Sequence, residues 1–219
     1  MKDVFAMLAQ GGVVMIPIGL GSVVALAVFL ERIWSLQRNR IIPHGLVDRL
    51  VDLIKKGERR AARDECLRSN SPMGRVILGS FDFPKMSREE LKGIFEEVGR
   101  HEVARMDRFV ETVGTIAGIE PLLGLLGTVT GMIQVFQKVV STSRSGAVDP
   151  SLLANGIWQA LITTAAGLSV AIVAFIGYRY LQSVTDRHAL EMEEGALRIA
   201  DLLINVDVSQ KDTGSGVEQ

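Results

Sequence analysis

Cysteine is almost missing from this chain. Cys66 is the only one in 219 residues, which excludes an intrachain disulfide. Its place in a charged segment fits a reduced, cytoplasmic setting. A metal cluster is missing too, since His44, His101 and His188 are scattered and Cys66 stands alone. No Walker-type loop, G-x-S-x-G or C-x-x-C motif occurs, so neither enzymatic catalysis nor a cofactor is expected. There is no basic stripe to suit nucleic acid and no polyacidic tail, and a net charge of −1 selects no partner.

The most informative lack is charge within long runs. None occurs from Val4 to Leu30, from Pro121 to Gln137, or from Pro150 to Tyr178. Each run, with its apolar flanks, supplies the about 20 residues needed to cross a hydrocarbon core. The expectation is an all-α integral membrane protein with three transmembrane helices, not a soluble domain. The first run is longer than a signal-peptide core and is followed by Glu31-Arg32-Ile33-Trp34, which reads as an interfacial anchor. It is expected to be a retained helix whose stretch from 11 to 30 has no polar side chain but Ser22, lipid-facing, with Pro17 and Gly19-Leu20-Gly21 marking a kink or packing site.

Orientation follows from Lys and Arg near the helix ends. Only Lys2 precedes the first run, whereas Arg32, Arg38, Arg40, Arg49, Lys55 and Lys56 follow it. The loop between runs two and three has Lys138 and Arg144, and Arg179, Arg187 and Arg198 follow run three. The N-terminus is therefore expected outside and the C-terminus in the cytoplasm. The expected division is an outer N-terminus over 1–10, spans over 11–32, 112–138 and 155–179, a cytoplasmic helical domain over 33–111, an outer loop over 139–154, a cytoplasmic helix over 180–204 and a disordered tail over 205–219.

The cytoplasmic segment reads as helices. Gly45–Lys56 carries apolar residues at helical spacing and is stopped by Gly57. Glu58–Leu67 and Met73–Phe81 are two further short helices, and Asp82-Phe83-Pro84 is a turn. Ser87 and Glu90 form a capping box. With no strong stop after it, one helix from about 88 to 140 is expected, roughly 78 Å long at the α-helical rise. Spans two and three are thus expected to extend into a cytoplasmic helical bundle, and 141–149 to be a short loop.

The polar residues in the spans are few and patterned. Gly114, Ala117, Gly118, Pro121, Gly124, Gly127, Thr128 and Gly131 share one face of span two. Gly156, Ala160, Thr164, Gly167, Ala171 and Ala174 share one face of span three. Two readings stay open: tight helix packing with each threonine bonding its own preceding turn, or a pore lining with room for a guest helix. Gln159 and Thr163 fall on another face, as polar glue to a neighbour or as part of a pathway. Glu120 is the one charge between Thr112 and Gln137, either an intramembrane functional group or a solvated interfacial one. Pro121 after it frees a carbonyl and predicts a kink.

At these residues the chain resembles a known family. Pro121 to Met132 (PLLGLLGTVTGM) and Gly156 to Leu168 (GIWQALITTAAGL) look like the paired signature of the ExbB and TolQ proteins, relatives of the flagellar stator protein MotA, and the chain is most similar to ExbB. Leu30-Glu31-Arg32 at the exit of span one fits as well, and the likeness covers 11 to about 203. The resemblance implies a bacterial inner-membrane subunit, with the outer segments periplasmic. It implies a homo-oligomer, a pentamer, enclosing a single-span ExbD- or TolR-like partner whose aspartate takes up and releases protons. It further implies that proton-motive force is turned into work on a TonB- or TolA-like protein. Thr128 and Thr164 match the threonines that face that aspartate. The pattern departs at Gln159, where many members have Glu, and at Glu120, where many have a small residue. Gln159 cannot titrate, and Glu120 is the candidate to take over, serving proton exit. The rivals are a MotA-type stator subunit, for which four spans are expected, a non-conducting scaffold, and a sodium-coupled version.

Overall fold

The computed structural model describes residues 12–81, 86–142 and 150–214. Among these the chain is helical and has no strand: α1 (Met15–Ser35), α2 (Arg38–Ile41), α3 (Leu46–Lys55), α4 (Arg59–Ser69), α5 (Pro72–Leu78), a 3-10 turn (Gly79–Phe81), α6 (Arg88–Asp107), α7 (Val110–Thr142) and α8 (Pro150–Gly214). Three of them, α1, α7 and α8, are long and apolar enough to cross a membrane. Their outward residues are large and hydrophobic, among them Ile16 and Val23 on α1, Leu122 and Phe136 on α7, and Val173 and Ile176 on α8. Such faces suit lipid, where every backbone group must be bonded within the helix.

The chain divides into two units, Met1–Arg32 with Phe109–Leu181, and Ile33–Arg108 with Gln182–Gln219. In the first unit, Met15, Ile18 and Ala25 give α1 a buried stripe. At the end of α1, Arg32 is 8% exposed. It pairs with Glu31 at 2.6 Å, and its guanidinium lies 4.6 Å from the centre of the Phe109 ring. Charge and stacking together anchor that helix end.

The second unit is built from short helices with explicit start and stop signals. Gly45 and Gly57 bracket α3 with φ of +69° and +79°, a region that glycine enters without a Cβ clash. The apolar spacing of α3 buries Leu46, Leu50 and Ile54 completely. Ser71 caps α5 by accepting the Gly74 amide at 3.1 Å, with Pro72 at the first helical position. The Ser87–Glu90 capping box opens α6, as its sequence predicts. The core joins Val76 of α5 and Leu91 and Phe95 of α6 to Ala196 and Ala200 of α8. Around it, Arg38–Glu191, Arg88–Asp201 and Arg198–Asp48 pair at 2.9–3.0 Å. These pairs are solvated, so each adds little.

The structure corrects the sequence reading at several points. The helix expected from about 88 to 140 is interrupted at Arg108–Phe109, between α6 and α7. Beyond that break, α7 continues through Pro121 as one helix. The polar stretch expected to be disordered from residue 205 remains in α8 as far as Gly214, and 215–219 lie outside the described residues. The turn at 82–84 and loop residues 143–149 also lie outside them. Span one is more than a lipid-facing helix: its glycines contact the polar groups of the other two spans.

Candidate functional site

The small residues of α7 and α8 face each other. A methyl built on Gly131 would lie 3.0 Å from Ala160 Cβ, and one on Gly124 would lie 3.1 Å from Thr164 Cα. The Thr163 methyl packs into Gly127, and Val135 packs onto Gly156. A methyl on Gly167 would lie 2.6 Å from the Glu120 carbonyl oxygen and 3.0 Å from Gly124 Cα. Missing side chains therefore bring two backbones together along a seam of about four turns, the small-residue mode of membrane helix packing.

The threonines divide into two kinds along this seam. Thr163 is 1% exposed, inside the contact, and its hydroxyl donates to the Gln159 carbonyl at 2.9 Å. The sequence reading placed Thr163 on a different face from the small stripe; the structure puts it in the seam opposite Gly127. Thr164 is half-buried, and its hydroxyl crosses to α7, donating to the Gly124 carbonyl at 2.9 Å. In a regular helix that carbonyl also accepts the Thr128 amide. The Thr164 hydroxyl and the Thr128 backbone thus meet at one oxygen. The Thr128 side chain, half-buried, donates back to the Leu125 carbonyl at 2.7 Å. Back-bonding thus holds for Thr128 and Thr163 but not for Thr164.

Glu120 is 1% exposed, which removes the solvated interfacial reading within this chain. Its Oε2 has no hydrogen-bond partner among the described residues. Its Oε1 lies against Gly21 of α1, where a methyl would overlap it. Gln159 is likewise covered from the first span's side, its Nε2 lying 2.6 Å from where a Gly12 methyl would stand, with Gly12 at φ +74°. Sequence reasoning missed both glycine partners. Only the pair Gly19 and Gly21 gave a signal, as a packing site. Glu120 and the Thr164 bridge share α7, and Glu120 lies one turn before Gly124. No group of three or more His, Cys, Asp or Glu among the described residues is placed to hold a metal ion.

Among the described residues outside the spans, Cys66 and Glu90 have shifted acidity. Burial, with Glu65 beside it, pushes the Cys66 thiol up to about 12. The Ser87 amide and hydroxyl hold the Glu90 carboxyl below its ordinary value.

Residues 68–194 match the sequence profile of a family described as the MotA/TolQ/ExbB proton channel family. The chain is 36% identical over 181 residues to a putative biopolymer transport protein ExbB-like 1 of Synechocystis, an alignment covering 80% of this chain and 69% of that protein. It is 35% identical over 148 residues to the biopolymer transport protein exbB1 of Vibrio cholerae, covering 63% of each. Over 82 residues it is 38% identical to the Tol-Pal system protein TolQ of Haemophilus influenzae, covering 36% of this chain and 34% of that protein.

Proposed function

The chain belongs to the MotA/TolQ/ExbB proton channel family, a multi-pass membrane family of transport-energising proteins rather than a known enzyme class, and from that premise we propose that it is the pore-forming subunit of a proton-driven motor in the bacterial inner membrane. In this reading copies of the chain form a ring, a pentamer, around the span of an ExbD- or TolR-like partner. Its N-terminus is periplasmic and its C-terminus cytoplasmic. Proton-motive force does work on a TonB- or TolA-like protein. Charge crossing the membrane releases about 2.3 kcal/mol per 100 mV, enough in a few steps to drive a conformational cycle.

The observation that carries the proposal is the Thr164 hydroxyl held on the Gly124 carbonyl, one turn before Thr128. Both threonines keep part of their surface exposed at the edge of the seam. A hydroxyl donates and accepts at once, so each can bond a partner carboxyl in either protonation state. Gln159 and Thr163 hold the surrounding helices in place, and neither side chain titrates. The seam glycines Gly124, Gly127, Gly131 and Gly167 fix the spacing of α7 and α8, and Pro121 adds a carbonyl, that of Ala117, without its helical donor.

The test is proton uptake by vesicles holding the chain with its single-span partner. Thr164→Ser and Thr128→Ser keep the hydroxyl and are expected to conduct. Thr164→Val and Thr128→Val keep the shape and are expected to lose most of the flux. Full flux in both valine variants would remove the threonines from the pathway.

A further inference from the structure

We propose that Glu120 is a proton-carrying group that this chain contributes to the pathway itself, and that Gly21 of α1 is the residue that positions it. The inference rests on the motor reading above and extends it from the partner's carboxyl to one on this chain.

Glu120 is the only charged side chain in 112–137, and 150–178 has none. The residue is 1% exposed, with α1 against its carboxyl and α8 against its main chain. Gly21 of α1 lies against Oε1, and a methyl there would stand 3.2 Å from Cδ and 3.6 Å from the Ile116 methyl of α7. Gly167 of α8 lies against the Glu120 main-chain carbonyl. A side chain at Gly21 would displace the carboxyl, and one at Gly167 would force the α7 and α8 backbones apart. Oε2 is buried and has no hydrogen-bond partner among the described residues. An unpaired buried carboxyl weakens a fold, so an enclosure shaped around one calls for a role, and intramembrane carboxyls mark ion paths.

The surroundings select the ion. Metal cations such as calcium or magnesium take six or more oxygen ligands. Here Gly21 brings no ligand atom to Oε1, and among the described residues no group of three or more His, Cys, Asp or Glu is placed to hold a metal ion. A proton needs one carboxylate oxygen, and the Ala117 carbonyl, without its helical donor, lies one turn back on the same face to accept the resulting O–H.

Its position fits a relay. Glu120 is four residues before Gly124, about 6 Å along the axis, and Gly124 carries the Thr164 bridge. In the uptake step an O–H bond forms on the Glu120 carboxylate as the donor, a hydronium or the partner's carboxylic acid, loses its proton and becomes water or carboxylate. In the release step that O–H bond breaks and water toward the N-terminal end of α7 takes the proton. Glu120 is then a carboxylate again, and one proton has advanced.

The test uses the full chain with its partner in vesicles under an imposed voltage. Glu120→Gln is expected to lower proton flux about a hundredfold, the lower end of what a positioned proton-transfer group contributes. Glu120→Asp is expected to recover part of it. Gly21→Ala is expected to match Glu120→Gln, and the double variant to be no worse than either. Gly19→Ala, where a methyl meets nothing within 4 Å, is the control and is expected to conduct normally. A second readout needs no partner: dicyclohexylcarbodiimide, which attacks protonated carboxyls from the apolar phase, is expected to modify Glu120 in native membranes. Wild-type flux in assembled Glu120→Gln, or no adduct on Glu120, would overturn the proposal, as would protection by sodium ions, which would make the site a sodium site. Labelled Glu120 without any wild-type flux would instead overturn the motor reading and leave the carboxyl assignment standing.

Discussion

Ser71 illustrates how a single side chain fixes structure here. It is 1% exposed and accepts the Gly74 amide at the start of α5. Ser71→Ala leaves that donor unmet in a buried place and should cost about 1 kcal/mol, read from unfolding in detergent. Ser87 and Glu90 do the same at an exposed site, where the effect depends on pH. The Glu90 carboxyl is more acidic folded than unfolded. Its contribution is therefore complete above the unfolded value of about 4.3 and is lost as pH falls through the folded value. The melting-temperature gap between the wild type and Ser87→Ala should narrow as pH is lowered from 7 to 3. An unchanged gap would separate the cap from the carboxylate. Cys66, raised to about 12 by burial, should resist maleimide at pH 8 until the protein is unfolded.

At the scale of elements, glycine decides which faces meet. Gly131 sits opposite Ala160 with no spare room, whereas a methyl on Gly118 would meet nothing within 4 Å. Gly131→Leu should destabilise the protein by about 1–3 kcal/mol through overpacking, and Gly118→Ala should leave the melting temperature nearly unchanged. Equal effects at both positions would mean that the seam does not hold the spans together. The existence of three spans was legible because a bilayer tolerates few charges, so composition alone marks them. The capping box was legible because its two residues are neighbours in sequence. Which threonine enters the seam was not: Thr163 and Thr164 differ by one position, and a helical wheel does not say where the neighbouring helix stands. The Gly21–Glu120 contact was out of reach for a stronger reason, since it joins helices far apart in the chain and depends on packing. The break at Arg108–Phe109 carries no glycine or proline signal.

For the whole molecule, the balance of positive residues predicts which ends face which compartment. The resistant Cys66 gives a quiet background for mapping it. Lys56→Cys and Lys138→Cys place thiols at exposed positions of the two units. An impermeant maleimide added to intact cells should label Lys138→Cys and should reach Lys56→Cys only after permeabilisation. The reverse pattern would invert the orientation. The site was legible as motif and illegible as mechanism: the two signatures identify the family, while the place of each hydroxyl and carboxyl depends on three helices packed together. The central claim is that this chain conducts protons together with a partner. Proton uptake should be measured in vesicles carrying a potassium diffusion potential, with the chain alone, the partner alone and both. The account predicts voltage-driven uptake only when both are present, unchanged when sodium replaces choline outside with the potassium gradient held constant. Uptake no greater than in empty vesicles, with the assembled complex present, would contradict it.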